Sequence, residues 1–219
     1  MKSRLLASLL TTIVLFSPMA ATEFGALVGR DGATLAATQF KSQPFHVTGV
    51  CDLRSGEHFV LRLKAGYGVL LYQQRMDNGL FETKDRSALD ALRIQAAPCA
   101  EAALTTLPIY VRAGVGCGFH MNWVFQEHTE IDEGSYALSR VGGLDVTVLA
   151  ALGIRMSRHF ALELGAERML VDWSLTTKQN YTWDYVFREW HQGSHSSGAT
   201  LNWNNVIEPG YSVGVVWTL

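Results

Sequence analysis

The chain has 219 residues, with 18 basic and 20 acidic side chains, a formal charge of −2 and 48% hydrophobic residues. No basic excess is available to follow a phosphate backbone, which excludes nucleic acid as a partner. After the N-terminal segment the longest uncharged apolar run, Val146–Ile154, is bounded by Asp145 and Arg155, far short of the roughly 20 residues of a spanning helix, so a helical membrane protein is excluded as well.

The chain opens MKSRLLASLLTTIVLFSPMAATEF. Lys2 and Arg4 precede an uncharged stretch from Leu5 to Phe16, which Ser17-Pro18 breaks, and the small residues Ala20 and Ala21 follow. This layout predicts a cleaved secretory signal peptide over residues 1–21, too short in its apolar part for a retained anchor. Residues 22–219 are then expected to form one exported domain.

From there on, period-two alternation dominates. The first strand is expected near Phe24–Leu35 and the second over Phe45–Leu53. HFVLRLKAGYGVLLY sets Phe59, Leu61, Leu63, Ala65, Tyr67, Val69 and Leu71 against Arg62, Lys64, Gly66 and Gly68; a weaker strand covers Leu89–Cys99. In LPIYVRAGVGCGFHMNWVF every odd position from Leu107 to Phe125 is apolar, whereas the even ones include Tyr110, Arg112, three glycines, His120 and Asn122. GLDVTVLAALGIRM alternates in the same way. FALELGAERMLVDWSL loses phase at Glu167-Arg168, where one extra residue predicts a β-bulge. The closing stretch YSVGVVWTL completes eight predicted strands. The links at Arg54–Glu57, Ala100–Thr106 and Ser157-Arg158 read as short turns, and residues 74–87, 126–140 and 176–209 as long polar loops.

A soluble barrel with an apolar interior has the same period. Three features favour the inverted arrangement. Aromatics gather at strand ends, as interfacial girdles do (Phe59, Phe160, Trp123, Phe125, Trp173, Trp217). Gly114, Gly116 and Gly118 sit on a polar face that a crowded lumen would use. That polar phase also carries charges of both signs: Arg62, Lys64, Arg93, Arg112, Asp145, Arg155, Glu163 and Glu167. The expectation is an all-β fold, an eight-stranded antiparallel up-and-down transmembrane β-barrel, short turns at one end and long loops at the other.

Tyr211, Val213, Val215, Trp217 and Leu219 share one face of the last strand, and this stretch resembles the C-terminal assembly signal of outer-membrane proteins, with Leu219 where Phe or Trp is usual. Residues 107–125 and the hairpin after them resemble the central hairpins of small eight-stranded bacterial barrels of the OmpW, OmpX and OmpA kind. The resemblance implies an outer-membrane location, the barrel-assembly machinery and membrane lipid as partners, and a monomer. OmpW-like proteins are associated with a conduit for small apolar molecules; the Arg- and Glu-rich lumen expected here fits the charge-filled interiors of the OmpA and OmpX kind better.

Cys51 and Cys117 share the apolar phase and Cys99 the polar one, with no pair placed for a bridge; all three read as small, mostly buried residues. In the longest loop Tyr181, Trp183, Tyr185 and Phe187 alternate, with Trp190 and Trp203 further on, which predicts a protruding hairpin. Its rings either bind a host or surface ligand or pack on one another. His191 and His195 lack a third ligand for zinc, and His195 with Ser197 lacks a positioned acid for the lipid acylhydrolase or acyltransferase chemistry of some small barrels. No cofactor or metal is expected. The function expected is a non-enzymatic outer-membrane barrel that presents its loops for surface interaction; a narrow channel for small molecules and a lipid-modifying enzyme are the alternatives. Arg112, Arg155, Glu163 and Glu167 would form either an ion-paired plug or a gate, and eight strands leave room for little beyond side chains.

Overall fold

Alternating chains gain most when each strand finds a partner on both edges, and here the pairing closes on itself. The computed structural model describes residues 22–30, 45–77, 82–104, 106–129, 134–184, 189–203 and 209–218. They form strands β1 (Thr22–Arg30), β2 (Phe45–Arg54), β3 (Phe59–Asp77), β4 (Glu82–Ala103), β5 (Ile109–Thr129), β6 (Gly134–Arg155), β7 (Phe160–Asp184), β8 (Glu189–Trp203) and β9 (Gly210–Thr218). The segment read as a signal peptide lies outside the described residues.

All pairings are antiparallel. Strands β1 to β7 follow one another round the ring, and β9 closes it by pairing with both β7 and β1. The eighth predicted strand, the closing stretch, is β9, which pairs with the lower half of β7; a further strand, β8, lies in the stretch read as the longest loop and pairs with the upper half of β7.

A row of directly opposed residues leaves β6 at Ile154, passes through Leu162, Val215, Ala26, Gly49, Ala65, Ile94 and Phe119, and returns to β6 at Leu144. The stagger is 10 residues (154 − 144). With eight strands in the ring, a rise of about 3.3 Å per residue and a strand spacing of about 4.8 Å, this stagger tilts the strands by about 40°.

The two faces are inverted relative to a water-soluble barrel. Val47, Leu63, Ile94, Val115, Phe119, Leu144, Leu152, Leu164 and Val213 are exposed on the outside, while Asp52, Arg62, Glu101, Arg112, Asp145, Glu163 and Asp172 are buried inside. Phe59, Phe160 and Trp217 mark a lower level of exposed rings, and Phe45, Tyr67 and Trp173 an upper one. The tilt separates the two levels by about 25 Å along the axis, the height of a lipid-facing band. Two small apolar clusters complete the interior: Val60, Ala97, Cys99 and Leu149, and Leu27, Val50 and Val216.

Several expectations need correction. The first strand, described as far as Arg30, starts at Thr22. The stretches read as long loops are mostly strand: β3 runs to Asp77 and β4 begins at Glu82, β5 runs to Thr129 and β6 begins at Gly134, and β7 and β8 together cover most of 176–203. Their polar composition hid the paired strands. The link expected at Ala100–Thr106 is shorter too, since β4 continues to Ala103. The bulge lies beyond Glu167-Arg168: Thr147 opposes Met169 and Val146 opposes Val171, so Leu170 is the extra residue. Glu167 is held in the lumen by cations, and Met169 turns inward to become a buried side chain, which delays the slip. Of the cysteines only Cys99 is buried; Cys117 is exposed on the outer face and Cys51 is half-buried, all three as free thiols. At the turn after β2, Gly56 takes a φ of 80°, which a side chain would resist.

Candidate functional site

Charges inside a narrow barrel are removed from water, so each needs a partner. Arg112 on β5 is fully buried and meets four strands. Its Nε donates to Glu101 Oε2 at 2.5 Å, Nη1 to Asp52 Oδ2 at 2.5 Å and to Glu163 Oε2 at 3.3 Å, and Nη2 to Glu23 Oε2 at 2.5 Å. Arg62 forks onto Asp52 at 2.8 and 2.7 Å and onto Glu163 at 2.5 and 2.9 Å. Towards the turn end, Arg54 binds Glu101 with both terminal nitrogens and Glu23 with Nε, and Arg155 reaches Glu101 at 3.2 Å. Tyr110 donates its hydroxyl to Glu163 at 3.1 Å, and the guanidinium groups of Arg112 and Arg155 lie over its ring. Four carboxylates and four arginines therefore balance in one tier. Gly153 is required beneath it, because a Cβ there would run into the Tyr110 ring.

A second tier lies higher in the lumen. Arg93 holds Asp145 at 2.8 Å and Glu167 at 2.6 Å, and Lys64 pairs with Glu167. His120 stands between Asp145, 3.5 Å from Nδ1, and Asp172, 3.6 Å from Nε2. Gln95 donates to the Thr147 hydroxyl at the same depth.

All eight charges expected in the lumen join these two tiers. Arg155 does so from the mouth, where 45% of its side chain is exposed. The sequence reading did not single out Glu23, Asp52, Arg54, Glu101, Tyr110, His120 and Asp172. The signal for Asp52 was its polar position within an alternating strand. Glu101 falls in a stretch that reads as a turn in sequence.

The hairpin aromatics fall on the outer face, where they pack on one another. Tyr136 stacks on Tyr181 at 4.4 Å between centroids, meets Trp190 edge-on at 4.6 Å and tilts against Phe125 at 5.9 Å, and Trp183 meets Trp190 at 5.2 Å. Trp203 is placed by its backbone opposite Val171, while Tyr185 and Phe187 lie outside the described residues. His191 approaches Asp184 and Glu189 at 3.4 and 3.5 Å, and His195 Nδ1 is 3.1 Å from the Gln179 side-chain oxygen, so the two histidines have different partners. Ser197 opposes Thr177. In the closing strand Tyr211, Val213 and Trp217 are exposed on the lipid side, and Leu219 lies outside the described residues.

A closed ring, apolar outside and ion-paired inside, has only one solvent that suits its exterior. The chain is a small transmembrane β-barrel. No protein-family model matches it, and no curated protein does. Among solved structures it is similar to a major outer membrane protein from Thermus thermophilus, at 12% identity and a TM-score of 0.46 over 91% of this chain and 100% of that one. It is similar to CarO of Acinetobacter baumannii, at 12% identity and 0.43 over 91% and 98%. It is also similar to Ail, the attachment invasion locus protein of Yersinia pestis, at 6% identity and 0.42 over 91% and 97%. The barrel assignment rests on the ring and its inverted faces.

Proposed function

We propose that this barrel is an exported, integral protein of a bacterial outer membrane, with a sealed lumen and a surface-interaction role. One observation carries the role: part of the barrel wall rises past the lipid. A tilted strand needs about 9–11 residues to cross the lipid. Among the described residues, β6 has 22 and β7 has 25. The surplus in β5 to β8 raises a paired wall well above the band, held upright by the Tyr136–Tyr181–Trp190 cluster. Keeping such a wall folded in water gains nothing for anchoring; it offers a surface to partners outside the cell.

The two tiers of paired charge support a closed lumen and weigh against both the gate and the channel for apolar solutes, which would have to displace them. The outward face of β9 agrees with its reading as the strand that the assembly machinery recognises.

The test uses the barrel refolded in vesicles. The wild type is expected to give no conductance steps in a planar bilayer. A variant with residues 178–197 replaced by a short turn should keep its heat-dependent gel mobility but lose binding to an array of immobilised glycans and matrix proteins. Regular conductance steps would overturn the sealed lumen, and unchanged array binding by the shortened variant would overturn the role of the wall.

A further inference from the structure

The register of the raised wall sorts its side chains between two faces, and the outer face carries a groove. Arg140 on β6 stands opposite Trp123 on β5 and Thr177 on β7, and Trp123 stands opposite Asp90 on β4. This row shares the outer phase with the opposed pair Leu144 and Trp173, which are exposed at the top of the band. The next row of the same phase, farther from the band, is Phe125, Leu138, Gln179 and His195. Lys178, between Thr177 and Gln179, opposes Ser139 and belongs to the lumen side. Along the two outer rows runs a groove of about 450 Å³, with Tyr181, stacked on Tyr136, at its far end. The rows are about 7 Å apart, and from Asp90 to Thr177 the groove crosses three strand spacings, about 14 Å. Arg140 is four residues beyond Leu144, about 10 Å higher at this tilt. The headgroup layer adds about 5–7 Å to the hydrocarbon core, so the groove opens beyond it.

Its polar groups are only partly used. Arg140 is exposed and makes no hydrogen bond or ion pair among the described residues. The Gln179 side-chain oxygen accepts from His195 Nδ1 at 3.1 Å, while its amide nitrogen is buried without an acceptor. A buried donor left unmatched is costly, so the groove is incomplete on its own. Asp90 Oδ1 accepts the Tyr67 hydroxyl at 2.9 Å, which leaves the second carboxylate oxygen for another donor. Between these groups lie the rings of Trp123 and Phe125, both half-buried. A fitting ligand has a flat apolar face, a hydroxyl rim and an anionic group. An apolar molecule would leave the Arg140 and Gln179 donors unmatched. A small inorganic anion would leave the rings wet. An extended peptide would find no free backbone, because β5, β6 and β7 are paired along both edges at this height.

We propose that this groove binds an acidic saccharide from outside the cell, with a sugar ring on Trp123 and Phe125 and its carboxylate on Arg140. A planar guanidinium takes a carboxylate on two parallel N–H groups. One face of a sugar ring is a sheet of C–H groups that lies flat on an aromatic ring, and its edge is hydroxyl. Gln179 donates its free amide hydrogens to an oxygen of that edge, and Asp90 accepts from a hydroxyl. A few placed polar groups around an apolar floor are the usual make-up of a small-molecule site. The inference rests on the surface-interaction reading above and names the ligand class of the raised wall.

The experiment uses the full barrel in phosphatidylcholine nanodiscs, titrated in a calorimeter with soluble tetrasaccharides ending in glucuronate, galacturonate or sialate, each beside its carboxyl-reduced form. At least one acidic tetrasaccharide is expected to bind, one per barrel, and its reduced form to bind about tenfold more weakly or worse. Trp123→Ala and Arg140→Ala should each weaken binding about tenfold or more, and Arg140→Lys should keep part of it. Lys178→Ala, on the other face, should leave it unchanged. Flotation with vesicles and heat-dependent gel mobility check that each variant is folded and inserted. Binding of none of the acidic tetrasaccharides, equal binding by Arg140→Ala or of the reduced form, an equal loss in Lys178→Ala, or displacement by sodium acetate would each overturn the proposal. So would binding of the same sugars only when they are carried on a glycolipid within the nanodisc. A wild type that holds matrix proteins on the array but no saccharide overturns the groove and leaves the surface role standing; one that holds neither overturns both.

Discussion

Arg112→Ala removes the hub of the lower tier. Arg112 makes four charge-assisted hydrogen bonds, to Glu101, Asp52, Glu163 and Glu23. At about 1.5–3 kcal/mol for each bond to a charged group, the gross loss is about 6–12 kcal/mol. The carboxylates are not left bare, however. Asp52 and Glu163 keep Arg62, Glu101 keeps Arg54 and Arg155, and Glu23 keeps Arg54. Water also enters the space that the side chain leaves. The net cost expected is about 3–5 kcal/mol, the range for removing one member of a buried ion pair. The tier is left one negative charge in excess, so adding Glu23→Gln should return part of the loss. Urea unfolding of the vesicle-inserted barrel, followed by tryptophan fluorescence and by the heat-resistant gel band, measures both steps. A loss below about 1 kcal/mol, the size of an exposed pair, would refute the reasoning, because it would mean that water already screens the tier.

Val115 is exposed near the middle of the band, and Leu175 is exposed above it. Val115→Arg should cost about 2–4 kcal/mol in urea unfolding from vesicles and Leu175→Arg about 0–1; equal effects would point to water around the barrel. Gly153→Ala drives a methyl group into the Tyr110 ring and should destabilise by about 1–3 kcal/mol by the same assay. Tyr136→Ala removes three ring contacts of about 0.5–1.5 kcal/mol each. Amide exchange in β8 should quicken at least tenfold while exchange in the band stays unchanged, and uniform protection would count against a ring-braced wall.

Where one face meets lipid and the other meets charge, alternation was enough to read the fold. The apolar odd positions of β5 and the charged even ones place Arg112 inside without further information, and the same parity places Arg62, Lys64, Glu163 and Glu167. It failed where the two faces differ less. Above the band the outside of the wall meets no hydrocarbon, so Gln179, Thr177 and Ser197 alternate with other polar groups and read as loop although they are paired. In the lumen the individual charges could be read but not their grouping. Glu23 and Arg112 are 89 positions apart in the chain, and it is the stagger of the ring that brings them together. Nothing local in TEFGALVGR announces that contact.

The sharing of β7 between β8 and β9 leaves the ring with short joints. Strands β1 and β9 are joined over 8 opposed residue pairs, as are β7 and β9, against 21 between β5 and β6, and the β1–β9 joint links the two ends of the described chain. Closing it ties off the longest loop of any pairing in the ring, so its entropy cost is the largest for a return in hydrogen bonds no greater than that of the β7–β9 joint. The joint would therefore zip last during insertion and part first under tension. Before it zips, the hairpins from β3 to β7 already form a curved sheet whose two free borders await each other, and whatever guides assembly would need to hold only those two borders. A pull on the N-terminal side of β1 would peel the barrel from that line and leave the tall wall standing.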